Sequence, residues 1–490
     1  MNSKAKQQLR VQDRISGLPD ELLWHMLSFL ETKYAVRTCI LSTRWKNIWA
    51  SVPTMDFDRT SFHDPKKFWA FIDYVLLFRC SSNIKKFRLC LRGNGVAQSR
   101  FDALINTVIG LSVVELDLCA AYPCQFRNFD LPKSLVMCKT LVILKVDSKF
   151  ITSIPASGCF PSLKSLHVTF HFNVNVSMFE ALSNFPILED LTMDGFLLYK
   201  GSLHLNIAAP VLKTLRRRFT NYGHDTAGYS YFINCPKLEI LDLVEEASST
   251  YHWAQAKSVV KAKIYLLQPY STEQPSFQTA LLAGACNVTD LCLSAHCFEV
   301  GYLPAYENLR QLKMVMIQDC FCGDLLTELL KRSPILESLV LEREVKDCLQ
   351  KDSDHDKGSG DEEDSESEEC CEHEEGCEHE EDSEHEEGSD HEDGSENEQR
   401  SDHEEGSEHQ WNPPDCVPKC CLLHLKIVSI EASMGNGNEL EVAKYLLKYG
   451  QVLNKMTICV NHLNVNEKEK IYKEILIVPR GSRTSIIEFI

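Results

Sequence analysis

Residues 235–243, CPKLEILDL, place apolar side chains at Leu238, Leu241 and Leu243, offsets 0, 3 and 5 within the segment. Offsets 3 and 5 are two residues apart, the alternation of a strand with one buried face, and offset 0 packs in the turn before it. The frame recurs upstream in FPSLKSLHV (160–168) and FPILEDLTM (185–193). Further copies read Ile84-Phe87-Leu89, Val113-Leu116-Leu118, Leu141-Leu144-Val146, Val259-Ala262-Ile264, Val288-Leu291-Leu293, Leu309-Leu312-Met314 and Leu336-Leu339-Leu341. Leu422-Leu425-Ile427 and Leu453-Met456-Ile458 complete the series, and Leu212-Leu215 fits except that Arg217 takes the third position. From Ile84 to Leu336 successive copies start 21 to 29 residues apart.

One such unit cannot bury its apolar side alone, so neighbours must stack. The frame resembles the leucine-rich repeat, with irregular lengths inside that repeat's usual span. Several copies carry a proline two residues before the first leucine, at Pro161, Pro186, Pro210, Pro236 and Pro334. Helical spacing appears between frames, at Phe68, Phe71, Ile72, Val75 and Leu76 and again across Glu439–Tyr449, which predicts helices on the outer side of the stack.

The net charge of -19 conceals two very different regions. Residues 351–410 hold 29 acidic residues against Lys351, Lys357 and Arg400, which leaves the other 430 residues at a net +7. Within the tract a six-residue unit such as CEHEEG or SDHEDG repeats from Cys371. Mutual repulsion and the scarcity of apolar residues predict disorder there. The tract falls inside one repeat interval and reads as a loop insertion. Its histidines (His373, His379, His385, His391, His403, His409) share no helical face at a step of six, so no built metal site is expected.

Residues 18–30 predict a helix that opens at Leu18-Pro19-Asp20-Glu21 and runs to about Leu30. It carries two apolar stripes, Leu22/Met26/Phe29 and Leu23/Leu27/Leu30. A surface helix needs one stripe, so a second surface must cover the other, either the following repeats or another protein. A second helix is expected around Ala35–Leu41, and a third from an N-cap-like Ser42 through Trp45 and Trp49.

Arg14 to Asp58, RISGLPDELLWHMLSFLETKYAVRTCILSTRWKNIWASVPTMDFD, resembles an F-box of the plant type. Glu31 stands where that family usually has proline, and Thr43 where it often has lysine or arginine. The repeats and the C-terminal CLLHLKIVSI…KEILIVPRGSRTSIIEF resemble the plant F-box/FBD/leucine-rich-repeat family, with departures at Arg216-Arg217-Arg218 and at a shortened loop around Leu111-Ser112. The resemblance implies an α/β fold: a three-helix F-box, then an irregular leucine-rich-repeat solenoid with a disordered acidic insertion. The boundaries it suggests are a tail over 1–13, the F-box over 14–60, the solenoid over 61–350, the insertion over 351–410 and FBD-like final repeats over 411–490.

It also implies a role as the substrate receptor of an SKP–cullin–F-box ubiquitin ligase, which holds a protein substrate near the charged enzyme. By motif position the adaptor contacts would be Leu18, Pro19, Leu22, Leu27 and Leu30, with Ile40, Leu41 and Trp45 in the later helices. A domain this small uses the same residues for its own packing. Substrate would meet the residues that flank the buried strand positions, among them Ser165, His167, Asp190, Thr192, Arg216, Asp242 and Lys313.

The competing reading is a repeat scaffold with no role in ubiquitination. An enzyme is not expected, since the chain lacks GxxxxGK[ST], HExxH, GxSxG and a strand-linked GxGxxG. No cofactor or metal is expected either, and Cys416, Cys420 and Cys421 lack a second half-site. A net +7 spread along the body is no nucleic-acid stripe, and no apolar run reaches ~18 residues, so neither nucleic acid nor membrane is expected as a partner. With no signal-like leader, the thiols read as reduced and the compartment as nucleus or cytoplasm.

Overall fold

The computed structural model describes Ile15 and residues 17–490, apart from 81–82, 92–96, 121–129, 148–159, 173–184, 198–202, 222–228, 247–249, 255–257, 268–276, 295–302, 317–322, 344–410, 432–437 and 462. The N-terminal tail and the acidic insertion expected from the sequence lie outside the described residues.

Three short helices open the fold: α1 (Asp20–Leu27), α2 (Thr32–Arg37) and α3 (Trp45–Ile48), with 3-10 turns at Thr38–Ile40 and Trp49–Ser51. Pro19 precedes α1 at φ -56°, and Asp20 and Glu21 fill its first turn. The helix stops at Leu27, short of the expected Leu30. Ser28 Oγ donates to the His25 carbonyl at 2.6 Å, and such local bonds compete with the helical ladder. The third helix starts at Trp45 with Arg44 at its N-cap, not from Ser42. Arg44 instead reaches back to the Leu18 carbonyl at 2.6 Å and to the Asp20 carboxylate, tying the turn to the start of α1.

Strands follow at near-regular intervals. They are β1 (Thr54–Asp58), β2 (Lys86–Leu91), β3 (Glu115–Ala120), β4 (Ile143–Asp147), β5 (Ser165–Phe172), β6 (Asp190–Leu197), β7 (Leu203–Ala208), β8 (Thr214–Asn221) and β9 (Tyr229–Asn234). After these come β10 (Ile240–Glu246), β11 (Thr250–Trp253), β12 (Lys261–Leu267), β13 (Asp290–Ser294), β14 (Gln311–Met316), β15 (Ser338–Arg343), β16 (Ile427–Glu431), β17 (Lys455–Ile458) and β18 (Ile486–Phe489). Among the described residues, fifteen of them form one parallel sheet in chain order, which omits only β7, β9 and β11.

Register explains why the frame recurs. Offset 3 of each repeat pairs with offset 3 of the next: Phe87 with Leu116, Leu116 with Leu144, Leu144 with Leu166, Leu166 with Leu191, and Leu191 with Leu215. Both frame positions are buried on every strand of this sheet from β1 to β17, and Ile487 and Phe489 of β18 are half-buried at its end. The prolines take the second position of the turns that deliver offset 0, where a fixed φ is useful. In those turns Leu163 donates to Phe160 at 3.2 Å and Leu238 to Cys235 at 3.1 Å.

The frame after the insertion is corrected by this register. Val428 pairs with Leu339 and Ile430 with Leu341, so the copy is Leu425-Val428-Ile430 rather than Leu422-Leu425-Ile427. Leu422 belongs to the short helix at Lys419–Leu423, and Ile427 is 47% exposed on the opposite face. From Leu336 to Leu425 is 89 residues, and removal of the 60-residue tract leaves 29, still an ordinary interval. One copy also precedes those read from the sequence: Val52, Met55 and Phe57 are buried, and Met55 pairs with Phe87.

The shortened loop at Leu111-Ser112 closes with Ser112 in the left-handed region at φ 56°, its N–H on Ile109 at 3.0 Å. Arg217, the polar intruder in the frame, is buried. A second parallel sheet, β11-β9-β7, packs across from it. The guanidinium sits 4.0 Å above the Tyr231 ring and donates to Tyr251 Oη at 3.0 Å.

Elsewhere helices cover the core: α4 (Pro65–Leu77), α5 (Gln98–Gly110), α6 (Lys133–Val136), α7 (Phe277–Gly284), α8 (Gly323–Arg332), α9 (Lys419–Leu423), α10 (Asn438–Tyr449) and α11 (Val465–Leu476). The two helices expected from spacing correspond to α4, which buries Phe68, Ile72 and Val75, and to α10.

Arg343 and Trp411, the described residues on either side of 344–410, both contact the first turn of α10. On one side Arg343 lies 3.4 Å from the fully buried Glu439 carboxylate. On the other, the Trp411 N–H donates to Asn438 Oδ1 at 2.9 Å and its indole Nε1 to Thr327 Oγ1 at 3.1 Å. Burial pushes the Glu439 carboxyl above its ordinary value, against the pull of its own helix amide and of Arg343.

Two predictions follow from this packing. Gly195 in β6 has φ +118°, and a Cβ there would press on the Phe170 carbonyl, so Gly195→Ala should cost at least ~2 kcal/mol in urea unfolding. Glu439 binds its proton more tightly in the folded than in the unfolded chain. Its contribution to stability is therefore complete below the unfolded value near 4.5 and is lost as pH rises through the raised folded value. Urea midpoints from pH 4.5 upward should fall for the native chain relative to Glu439→Gln, and parallel curves would contradict this.

Candidate functional site

The N-terminal helices have one face in the core and one in water. Leu23 and Leu27 of α1 pack with Ala35, Trp45, Ile48 and Trp49 in the same apolar core as the first repeats. Three polar ties reinforce the junction. The Asp56 N–H donates to Thr32 Oγ1 at 2.8 Å, Ser61 Oγ to Glu31 at 2.7 Å, and Lys33 to the Ser61 carbonyl. Glu31, in place of the family's proline, keeps φ -52°, a value proline also adopts, and gains the serine contact.

Opposite lies the second stripe. Leu22, Met26 and Phe29 are exposed, Phe29 at 75%, and so are Leu30, Ile40 at 84% and Leu41 at 63%. Leu18 is half-buried and Pro19 exposed. Among the eight candidate adaptor residues, Leu27 and Trp45 are buried at 4% and 5%, inside the module itself. Met26 and Phe29 were absent from the motif-based set, although the i, i+4, i+7 stripe marked them.

The second surface is the open face of the main sheet, which presents the residues between the buried rows. Ser165, His167, Asp190, Thr192, Arg216 and Lys313 are all partly exposed there, and Asp242 is buried. On β1–β6 several charges close in pairs. Arg88 lies 3.0 Å from Asp56 and 3.8 Å from Asp117, and Glu115 meets Lys86 at 3.3 Å and Lys145 at 3.1 Å. His167 Nε2 lies 3.0 Å from Asp194. Burial acts against the Glu115 carboxylate, but the two ammonium groups hold its pKa below the ordinary value.

Further along, Arg218 meets Asp242 at 3.1 Å and Lys313 pairs with Glu342. Lys261 and Lys263 also line this face, at the same offsets as the other candidates in the Val259 frame, and were not among those named from the sequence. Among the described residues no group of three or more His, Cys, Asp or Glu is placed to hold a metal ion. Cys420 and Cys421 are buried, and Cys420 donates to the Leu330 carbonyl at 3.3 Å. No helix of the described residues is long and apolar enough to cross a membrane.

The chain thus joins a small helical module with an exposed apolar face to a parallel repeat sheet whose open face carries charged side chains. Residues 15–56 match the family described as F-box domain, and residues 412–458 match FBD. An F-box/LRR-repeat protein of Arabidopsis thaliana is 30% identical over 357 residues, 68% of this chain and 92% of that protein. An FBD-associated F-box protein of the same plant is 29% identical over 68% of this chain and 78% of its own. An F-box/FBD/LRR-repeat protein, also from Arabidopsis thaliana, is 25% identical over 98% of this chain and 99% of its own. The chain belongs to the F-box/FBD/leucine-rich-repeat family.

The burial pattern separates packing residues from surface ones. Leu27→Ala and Trp45→Ala should each cost about 2–5 kcal/mol in denaturant unfolding of the module, whereas Leu22→Ala and Ile40→Ala should stay within about 0.5 kcal/mol of the native chain.

Proposed function

We propose that the chain is the substrate-recognition subunit of an SKP–cullin–F-box ubiquitin ligase. The observation that carries this reading is the exposed apolar set Leu22, Met26, Phe29, Leu30, Ile40 and Leu41 on a module already packed on its other side. Exposed apolar groups this numerous on so small a unit call for a partner surface. In this reading Leu18, Pro19, Leu22, Leu30, Ile40 and Leu41 meet an SKP-type adaptor, Met26 and Phe29 extend the contact, and Leu27 and Trp45 hold the helices that present it. The sheet face holds a protein substrate.

The reading needs no catalytic group. The chain contributes proximity, which raises the concentration of the substrate near the ubiquitin-charged enzyme. Because β1 at the end of the module is also the first rung of the sheet, docking and recognition share one framework.

The test is co-purification of the full chain with a recombinant SKP-type adaptor. The native chain should capture it. Ile40→Asp/Leu41→Asp should weaken capture by roughly tenfold or more while leaving the unfolding midpoint unchanged, since both side chains are largely in water. Failure of the native chain to capture the adaptor would leave a repeat scaffold with no role in ubiquitination.

A further inference from the structure

The sheet face changes character along its length. On β1–β6 each of Lys86, Arg88 and Lys145 has a carboxylate partner within 4.0 Å. Between β8 and β15 this matching is only partial, over an open groove of about 390 Å³. Its floor presents Arg216, Lys261, Lys263 and Lys313 against two carboxylates, Asp242 and Asp290.

Asp242 is engaged by Arg218, and Lys313 by Glu342. Arg216, Lys261 and Lys263 make no ion pair among the described residues. Register sets these groups side by side, because Asp242 pairs with Arg216 on one side and with Lys263 on the other. Lys261 stands two residues before Lys263 on the same face. The Lys263 ammonium is further positioned 4.8 Å over the Tyr265 ring. Ile240 and Val340 add apolar patches to the same floor.

Exposed cations repel one another and keep their own counter-ions unless a ligand brings charge. A solenoid that pairs the cations on one stretch of its face and leaves three cations of the next without an ion pair has a preferred place for a polyanion. An arginine flanked by lysines can hold phosphate or carboxylate oxygens by charge-assisted hydrogen bonds. The apolar patches favour a peptide over a bare ion. We propose that the groove over β8–β15 binds a peptide segment of the substrate protein that carries clustered phosphate or carboxylate groups. The proposal deepens the receptor reading, on which it rests for the peptide's origin.

The probe is a pool of fluorescent peptides with a fixed pair of phosphoserines in degenerate flanks, compared with the same pool bearing serines. Binding to the full chain is measured by anisotropy without adaptor, so the result is independent of adaptor capture. The phosphorylated pool should bind more tightly than the serine pool, and more weakly as salt rises. Arg216→Gln/Lys261→Gln/Lys263→Gln should reduce its affinity by roughly tenfold, the sum of three partly exposed charge contacts.

Lys86→Gln/Lys145→Gln, on the matched stretch, should leave affinity unchanged, and Lys261→Arg/Lys263→Arg should retain it. Equal binding of the two pools would overturn the proposal. So would an unaffected triple variant, or displacement of the pool by inorganic phosphate at equal concentration, which would assign the groove to a free anion. Adaptor capture that survives in the triple variant, alongside lost peptide binding, separates failure of the groove from failure of the docking face.

Discussion

The structure depends on a single register kept across fifteen parallel strands. A strand has a side-chain period of two, so a slip of one residue between neighbours would turn a buried row of leucines into water. Met55, Phe87, Leu116, Leu144 and their successors run in unbroken pairing as far as Ile487. Both neighbours enforce the alignment on every interior strand. This tolerates loops of very different length, because a loop can grow outward without moving the pair of rows it connects.

That constraint also explains which parts were legible in the sequence. The frame at offsets 0, 3 and 5 is imposed by burial, so it is written in residue type, and the copy at Leu238-Leu241-Leu243 predicts its neighbours. Where burial is shared with another element the reading slips. Leu422 and Leu425 both look like frame residues, but Leu422 serves α9, and only the pairing of Val428 with Leu339 fixes the frame. Helix ends in the N-terminal module were misplaced because they are set by Ser28 and Arg44, whose bonds to distant or local carbonyls leave no periodic trace. The second sheet had no such signature. Its residues Leu205, Ile207, Tyr231 and Tyr251 are apolar without the frame, and Arg217, which breaks the frame, packs against two of them.

The candidate surfaces were legible to different degrees. Two stripes on one helix announce a partner without naming it, and burial then assigns Leu23 and Leu27 inward and Leu22, Met26 and Phe29 outward. On the sheet face, periodicity locates the positions but says little about charge, because matching depends on which strands become neighbours. Arg88 finds Asp56 and Asp117 from two different strands, 32 and 29 residues away. Lys261 and Lys263 find no equivalent among the described residues, although their strand looks ordinary in sequence.

The fastening at α10 has a consequence for how this architecture can vary. Arg343 and Trp411 meet the same helical turn, through Glu439 and Asn438 respectively. The two described residues that bracket 344–410 thus share one socket. A site of this kind is a natural graft point. Segments can be lengthened, exchanged or lost there over evolutionary time while the rungs on either side, β15 and β16, remain paired.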